Sequence, residues 1–180
     1  AELPFYLGLM AHLAARGVPC PQPVAANDGA WFSMLNSKPA AIVSCVPGRD
    51  LAEVDATHCA RIGVLLAEMH IAGQSYAVPM PNPRGAGWWT AAMPQVLPFL
   101  DAPAAALLKA EIDTQSTQRY AALPQGMIHA DLFRDNVLWD GAGVGGIIDF
   151  YFASNDCLLY DVAITVNDWC SAADQSLDAA

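Results

Sequence analysis

His129-Ala130-Asp131-Leu132-Phe133-Arg134-Asp135-Asn136 is the stretch whose reading decides the fold, together with the apolar runs that follow it. Val137-Leu138-Trp139 and Gly146-Ile147-Ile148 flank a Gly141-Ala142-Gly143 turn, the pattern of a β-hairpin. Asn136 precedes the first strand and Asp149 closes the second, so a hairpin brings their side chains together. Asp131 lies five positions before Asn136, and Asp149 lies thirteen after it.

An acid, an amide and a second acid in that arrangement suit phosphoryl transfer. Mg²⁺ takes oxygen ligands and is held by one or two protein groups plus substrate phosphates. Asn136 and Asp149 offer an amide oxygen and a carboxylate for it, while Asp131 stays free to accept a proton from an attacking hydroxyl. The pattern H-x-D-x-x-x-x-N followed by a later Asp assigns these same roles in kinases. The competing reading makes Asp131 and Asn136 turn formers and Asp149 the cap of a strand end.

Composition narrows the partners. The 180 residues are 54% apolar and 14% charged, which favours a folded globular chain over disorder. A net charge of −10 argues against nucleic acid or an anionic membrane, since both demand basic patches. No apolar run approaches a membrane span, and no basic segment precedes the first apolar stretch as a signal peptide requires. The five cysteines (Cys20, Cys45, Cys59, Cys157, Cys170) form no C-x-x-C pair and are expected to be reduced thiols in the cytoplasm. The chain opens on Ala1 at the doorstep of a helix, which suggests a fragment.

From the N-terminus, Leu3, Leu7, Met10, Leu13 and Ala14 recur near helical spacing, predicting a helix from Leu3 to Arg16 with Gly17 beyond its end. His12 beside this stripe is expected to be packed or solvated. Val18 to Pro23 is a proline-pinned connector. Ala30–Leu35 and Pro39–Val46 read as strands joined near Asn36-Ser37-Lys38, and Val46-Pro47-Gly48 ends the second. A helix is predicted from Asp55 to Gly73, with Asp55 or Thr57 as N-cap and Ile62, Leu65, Leu66, Met69 and His70 on one face. His70 reads as a packed histidine sooner than a ligand. The loop from Pro79 to Gly85 excludes helix and central strand. Helices follow from Trp88-Trp89 to about Leu100, from Pro103 to Ala122, and from Cys157 to Trp169, where Asp156 would cap. The tail from Ala172 is expected to fray.

The His129–Asn136 segment resembles the catalytic loop of the aminoglycoside phosphotransferase and choline kinase superfamily, relatives of the protein kinases. Asn82-Pro83-Arg84-Gly85 with Trp88-Trp89, and Val166-Asn167-Asp168-Trp169-Cys170, narrow the resemblance to its bacterial homoserine kinase branch. It runs along essentially all of the chain, which covers only part of such an enzyme. The resemblance implies an α+β, protein-kinase-like fold: residues 1–46 a remnant of the N-terminal lobe, 47–180 a mostly helical catalytic lobe carrying the hairpin, and the hinge at 44–48. It implies ATP and Mg²⁺ as cofactors and a small-molecule partner, L-homoserine, phosphorylated in threonine biosynthesis. The alternatives are another hydroxylated amine, such as choline or an aminoglycoside, or a non-enzymatic nucleotide-binding module. At the hinge, the Ser44 carbonyl and Val46 N–H would meet the adenine edge, unless the segment is a plain buried strand. In the D-x-A element Asp161-Val162-Ala163, Asp161 would brace the catalytic loop through the backbone around His129. The first helix would be the one whose Glu pairs with the ATP-orienting Lys. Glu2 is the only nearby acid, and it serves equally as an acid at a helix N-terminus.

Homoserine would need an acid for its ammonium, with Asp168 or Asp156 as candidates, and an Arg for its carboxylate. Arg84 beside Trp88-Trp89 is the nominee, with a loop salt bridge as its plainer role. Arg134 would face the γ-phosphate as charge neutraliser. Neither Lys38, in a turn, nor Lys109, in mid-helix, fits the phosphate-binding lysine of such enzymes, and no glycine-rich phosphate motif precedes the first helix. The isolated chain is therefore expected to be inactive.

Overall fold

The computed structural model describes residues 2–117, 122–141, 143–171 and 176–177. Helix α1 (Leu3–Ala14) carries Pro4 in its first turn, where a missing N–H costs nothing. It stops two residues short of Arg16, with Gly17 in the left-handed region at φ +88°. Leu7, Met10 and Leu13 of the expected stripe are buried, and so are Phe5, Tyr6 and Leu9. The wider apolar surface reflects two neighbours, helix α2 and the turn at Phe150–Phe152. Glu2 accepts a hydrogen bond from the Tyr6 hydroxyl at 3.2 Å. His12 packs as expected, its Nε2 3.0 Å from the Ala72 carbonyl oxygen.

The two strands expected between Ala30 and Val46 are shorter than their apolar runs. Strand β1 (Ser33–Leu35) pairs with β2 (Lys38–Ala40) across Asn36 and Ser37, both at positive φ, the conformation a tight hairpin turn demands. Beyond Ala40 the chain leaves this hairpin for the connector. The Val24 N–H donates to the Ile42 carbonyl, and the Ser44 N–H to the Gln22 carbonyl, each at 2.8 Å. Proline pinning keeps the connector extended, so it offers the backbone partners that β1 does not.

Helix α2 (Ala56–Gly73) starts at an Asp55 cap: its carboxylate accepts from the His58 N–H, and the His58 ring accepts from the Asp55 N–H. The predicted face from Ile62 to His70 is buried. Helix α3 (Ala86–Val96), a short turn at Leu97–Phe99 and α4 (Ala102–Thr117) pack on one another, and none of their residues is fully buried. The expected continuation of α4 over 118–121 lies outside the described residues, as does all of the tail except 176–177.

Two small antiparallel sheets carry the rest. Strand β3 (Gln125–Ile128) pairs with β6 (Ser154–Cys157), and β4 (Val137–Asp140) with β5 (Gly143–Ile147). Helix α5 (Leu158–Trp169) then returns over β3. Asp156 does not cap it in the expected way. Its Oδ1 takes the Cys157 N–H and its Oδ2 the Asn82 side-chain amide, each at 2.7 Å, which ties the proline loop to β6.

One apolar cluster joins α1, α2, the β4–β5 hairpin, Phe150 and Trp169. All five cysteines are free. Among the described residues, no helix is long and apolar enough to cross a membrane.

Candidate active site

The site is built where β3 ends. Ala130 sits at φ +63°, a conformation that costs a non-glycine residue of order 1 kcal/mol or more and needs outside support. Asp161 supplies it from α5. Its fully buried carboxylate accepts the His129 N–H on Oδ2 and the Ala130 N–H on Oδ1, both at 2.9 Å. Oδ2 also meets His70 Nε2 at 2.8 Å. The turn that aims Asp131 is thus clamped to a helix thirty residues further along the chain.

The hairpin completes the constellation. Asn136 closes a short turn of residues Arg134–Asn136, and its carbonyl accepts the Ile148 N–H at 2.9 Å. Asp149, itself at φ +61°, follows one residue beyond that bond. The Asn136 side-chain amide donates from Nδ2 to the Asp131 carbonyl at 2.8 Å and to its Oδ2 at 3.1 Å. With Nδ2 so engaged, Oδ1 is the Asn136 atom suited to a cation. The His129 ring spans the gap, Nε2 lying 2.9 Å from the Ile148 carbonyl oxygen. Nε2 therefore carries the proton, and Nδ1 is buried with no hydrogen-bond partner.

Electrostatics agree with this crowding. Burial pushes the Asp131 carboxyl above its ordinary value; His129 and the Asn136 hydrogen bond pull it back, and Asp149 and Asp135 push it up again. Burial holds the His129 imidazole below its ordinary value, against the carboxylates of Asp161, Asp131 and Asp149.

Among the described residues, no three His, Cys, Asp or Glu side chains form a ready metal cage. One amide and one carboxylate fit Mg²⁺, which keeps water and phosphate oxygens as its other ligands.

Pro47 and Arg49, in and beside the segment expected to be the hinge, lie directly on this hairpin. Arg49 and Trp139 exchange two backbone hydrogen bonds, at 2.8 and 3.1 Å. A Cβ on Gly145 would stand 2.1 Å from the Pro47 carbonyl oxygen, and one on Gly146 would stand 2.7 Å from that of Pro19 and 2.8 Å from Val46 Cγ1. Only glycine allows backbone to approach backbone so closely. Ser44 uses its N–H and hydroxyl on Gln22, and Val46 turns its side chain inward.

Asp168 accepts the Arg134 N–H at 2.7 Å and its guanidinium at 3.3 Å, so the two residues answer each other. This pairing engages the two groups that the sequence offered to a substrate ammonium and to the γ-phosphate. Among the described residues Arg84 makes no salt bridge; its guanidinium lies over the Phe152 ring, 3.7 Å from the centroid. Asp156 lines a cavity of about 280 Å³ with Ala86, Trp89, Gln115 and Tyr160. Sequence reasoning missed His70 as the partner of Asp161, and also the Trp169 Nε1–H that donates to the Leu132 carbonyl at 3.0 Å. The only local signal for His70 was its place on the buried face of α2.

The phosphotransferase enzyme family matches residues 1–180, and the chain belongs to that family. It is 55% identical over 178 residues to the homoserine kinase of Methylobacillus flagellatus, a match covering 99% of this chain and 56% of the relative. The chain thus spans about half the length of that relative. The fold is similar to that of wild-type aminoglycoside 2'-phosphotransferase-IIIa in its GDP complex, with a TM-score of 0.73 and 23% identity over 93% of this chain and 61% of that one. It is also similar to an amicoumacin kinase bound to AMP-PNP and Ca²⁺, with a TM-score of 0.71 and 17% identity over 93% of this chain and 53% of that one. These likenesses establish the protein-kinase-like fold.

Proposed function

We propose that this chain carries the catalytic part of an ATP- and Mg²⁺-dependent homoserine kinase acting in the cytoplasm. Residues 1–46 belong to its nucleotide-side lobe and 47–180 to its catalytic lobe. The observation that carries the chemistry is the hydrogen bonding of the Asn136 amide to Asp131, with Ile148, the residue before Asp149, bonded to the Asn136 carbonyl. The acceptor is argued from the 55% identity to a homoserine kinase. Asp131 takes the proton of the homoserine side-chain hydroxyl as its oxygen bonds to the γ-phosphorus. The bond from that phosphorus to the β,γ-bridging oxygen breaks, and ADP leaves. Mg²⁺, held by Asn136 Oδ1 and Asp149, would neutralise charge building on the phosphates.

The backbone of Ser44 and Val46 offers the adenine edge a carbonyl and an N–H. Their neighbour Pro47 rests on Gly145, so base and metal are read from one rigid unit. For the acceptor, Arg84 presents a cation to the carboxylate, and Asp156 presents its remaining lone pairs to the ammonium. The GDP and AMP-PNP complexes of the two solved relatives support nucleotide use.

A coupled assay of ADP release by the intact protein, run over homoserine, choline and an aminoglycoside, tests the reading. Homoserine-dependent turnover is expected. Turnover with choline or the aminoglycoside alone would replace the acceptor, and nucleotide binding without turnover would leave a binding module. If Arg84→Ala left the KM for homoserine unchanged, the carboxylate clamp would be wrong.

A further inference from the structure

Two thiols meet where α2 begins and α5 ends. Cys59, in the first turn of α2, donates its S–H to the Trp169 carbonyl at 3.2 Å, 110 positions further along the chain. Cys170, the next residue, caps α5 and is the side-chain hydrogen-bond neighbour of Cys59. Both thiols are half-buried, and both line one cavity of about 270 Å³ whose other walls include Leu66, Val162 and Val166. That space admits a small oxidant to two sulfurs already within each other's reach. Burial first, and the Cys170 side chain after it, hold the Cys59 thiol above its ordinary value of 9.0, so Cys59 rests protonated.

We propose that Cys59 and Cys170 are a modification site at which hydrogen peroxide forms a reversible disulfide, drawing the end of α5 toward α2. The Cys170 sulfur attacks one oxygen of the peroxide, the O–O bond breaks, and the thiol proton leaves with the departing oxygen as water. The Cys59 sulfur then attacks the resulting sulfenic sulfur; the S–O bond breaks, and the Cys59 proton leaves with the hydroxide as a second water. Two thiols are oxidised and one peroxide is reduced. In the disulfide the sulfurs stand about 2.0 Å apart, and the Trp169 carbonyl loses the S–H it accepted. The last turn of α5 carries two holds on the loop from Asp131 to Asn136: Trp169 Nε1–H on the Leu132 carbonyl, and Asp168 on the Arg134 N–H. Moving that turn loosens both, and Leu132 adjoins Asp131 in the chain.

In the intact protein, treatment with hydrogen peroxide, then alkylation and peptide mapping without reductant, should yield a peptide pair joined through Cys59 and Cys170. Dithiothreitol should separate the pair. Hydrogen exchange at the Arg134 amide, measured against the Ile62 amide, should quicken at least about ten-fold on oxidation. The effect on turnover rests on the kinase reading: kcat with homoserine should fall at least about five-fold and return with dithiothreitol. Cys59→Ser, whose hydroxyl keeps a donor on the Trp169 carbonyl, should match the reduced wild type in exchange and turnover before and after peroxide. Should Cys59→Ser not fold, Cys170→Ala is read by the same criteria.

Separate sulfinic acids on the two cysteines, or a cross-link to Cys45 instead, would overturn the proposal, as would a Cys59–Cys170 bond that leaves Arg134 exchange unchanged. A protein that forms the bond and exchanges as described but does not phosphorylate homoserine would refute the acceptor reading alone.

Discussion

As the proposed base, Asp131 is held in two opposed conditions: it must be ionised to take a proton, and its surroundings penalise the charge. The folded carboxyl keeps its proton to a higher pH than the unfolded one, whose ordinary value is 3.8. Below that value both forms are protonated and the fold carries no penalty. As pH rises through the raised folded value the unfolded state ionises first, and stability is lost. Asp131→Asn should therefore raise the melting temperature at neutral pH, with the gain vanishing below pH 3.8. The same variant should lose roughly 10²–10⁴-fold in kcat while Mg-ATP affinity, read by calorimetry, holds. Asp149→Ala should weaken that affinity itself. Equal loss of nucleotide affinity in the two variants would mean that base and metal ligand have been exchanged.

Between elements, the hairpin and α5 are fixed by contacts that leave no room for substitution. Gly145 lies under the Pro47 carbonyl, so Gly145→Ala forces Pro47 off the hairpin. A loss of about 1–3 kcal/mol in denaturant unfolding is expected, with a weaker nucleotide affinity beside it. Wild-type stability in that variant would show that Pro47 is not seated on β5. On the far side, Trp169→Phe keeps the ring and removes the Nε1–H that satisfies the Leu132 carbonyl. Leaving that buried acceptor unmatched should cost about 1–3 kcal/mol.

For the molecule as a whole, pH acts through the histidine at its centre. An unfolded His129 binds its proton near 6.5, and the folded one only at a lower pH because burial disfavours the cation. Its contribution to stability is complete above 6.5 and is lost as pH falls through the folded value. Stability measured by urea unfolding should therefore decline from pH 6.5 downward, and His129→Gln should flatten that slope.

How the chain is legible follows from range. The β4–β5 hairpin and the buried face of α2 were readable because each is set by residues within a few turns of one another. The spacing of Asp131, Asn136 and Asp149 needs only one β-turn to bring them together. The proline connector and the Asp55 cap are local in the same sense. Sequence could not say that β3 pairs with β6, that residues 42–44 abandon their hairpin for the connector, or that Arg134 and Asp168 neutralise each other. Nor could it show that His70, plain in the sequence as one more apolar-face residue, points at Asp161. Each of these joins groups tens of residues apart, where no periodicity links the partners and competing contacts are decided by packing. The chemistry proposed for the site rests on the order of its residues; the left-handed turn at Ala130 is held only by the assembled fold.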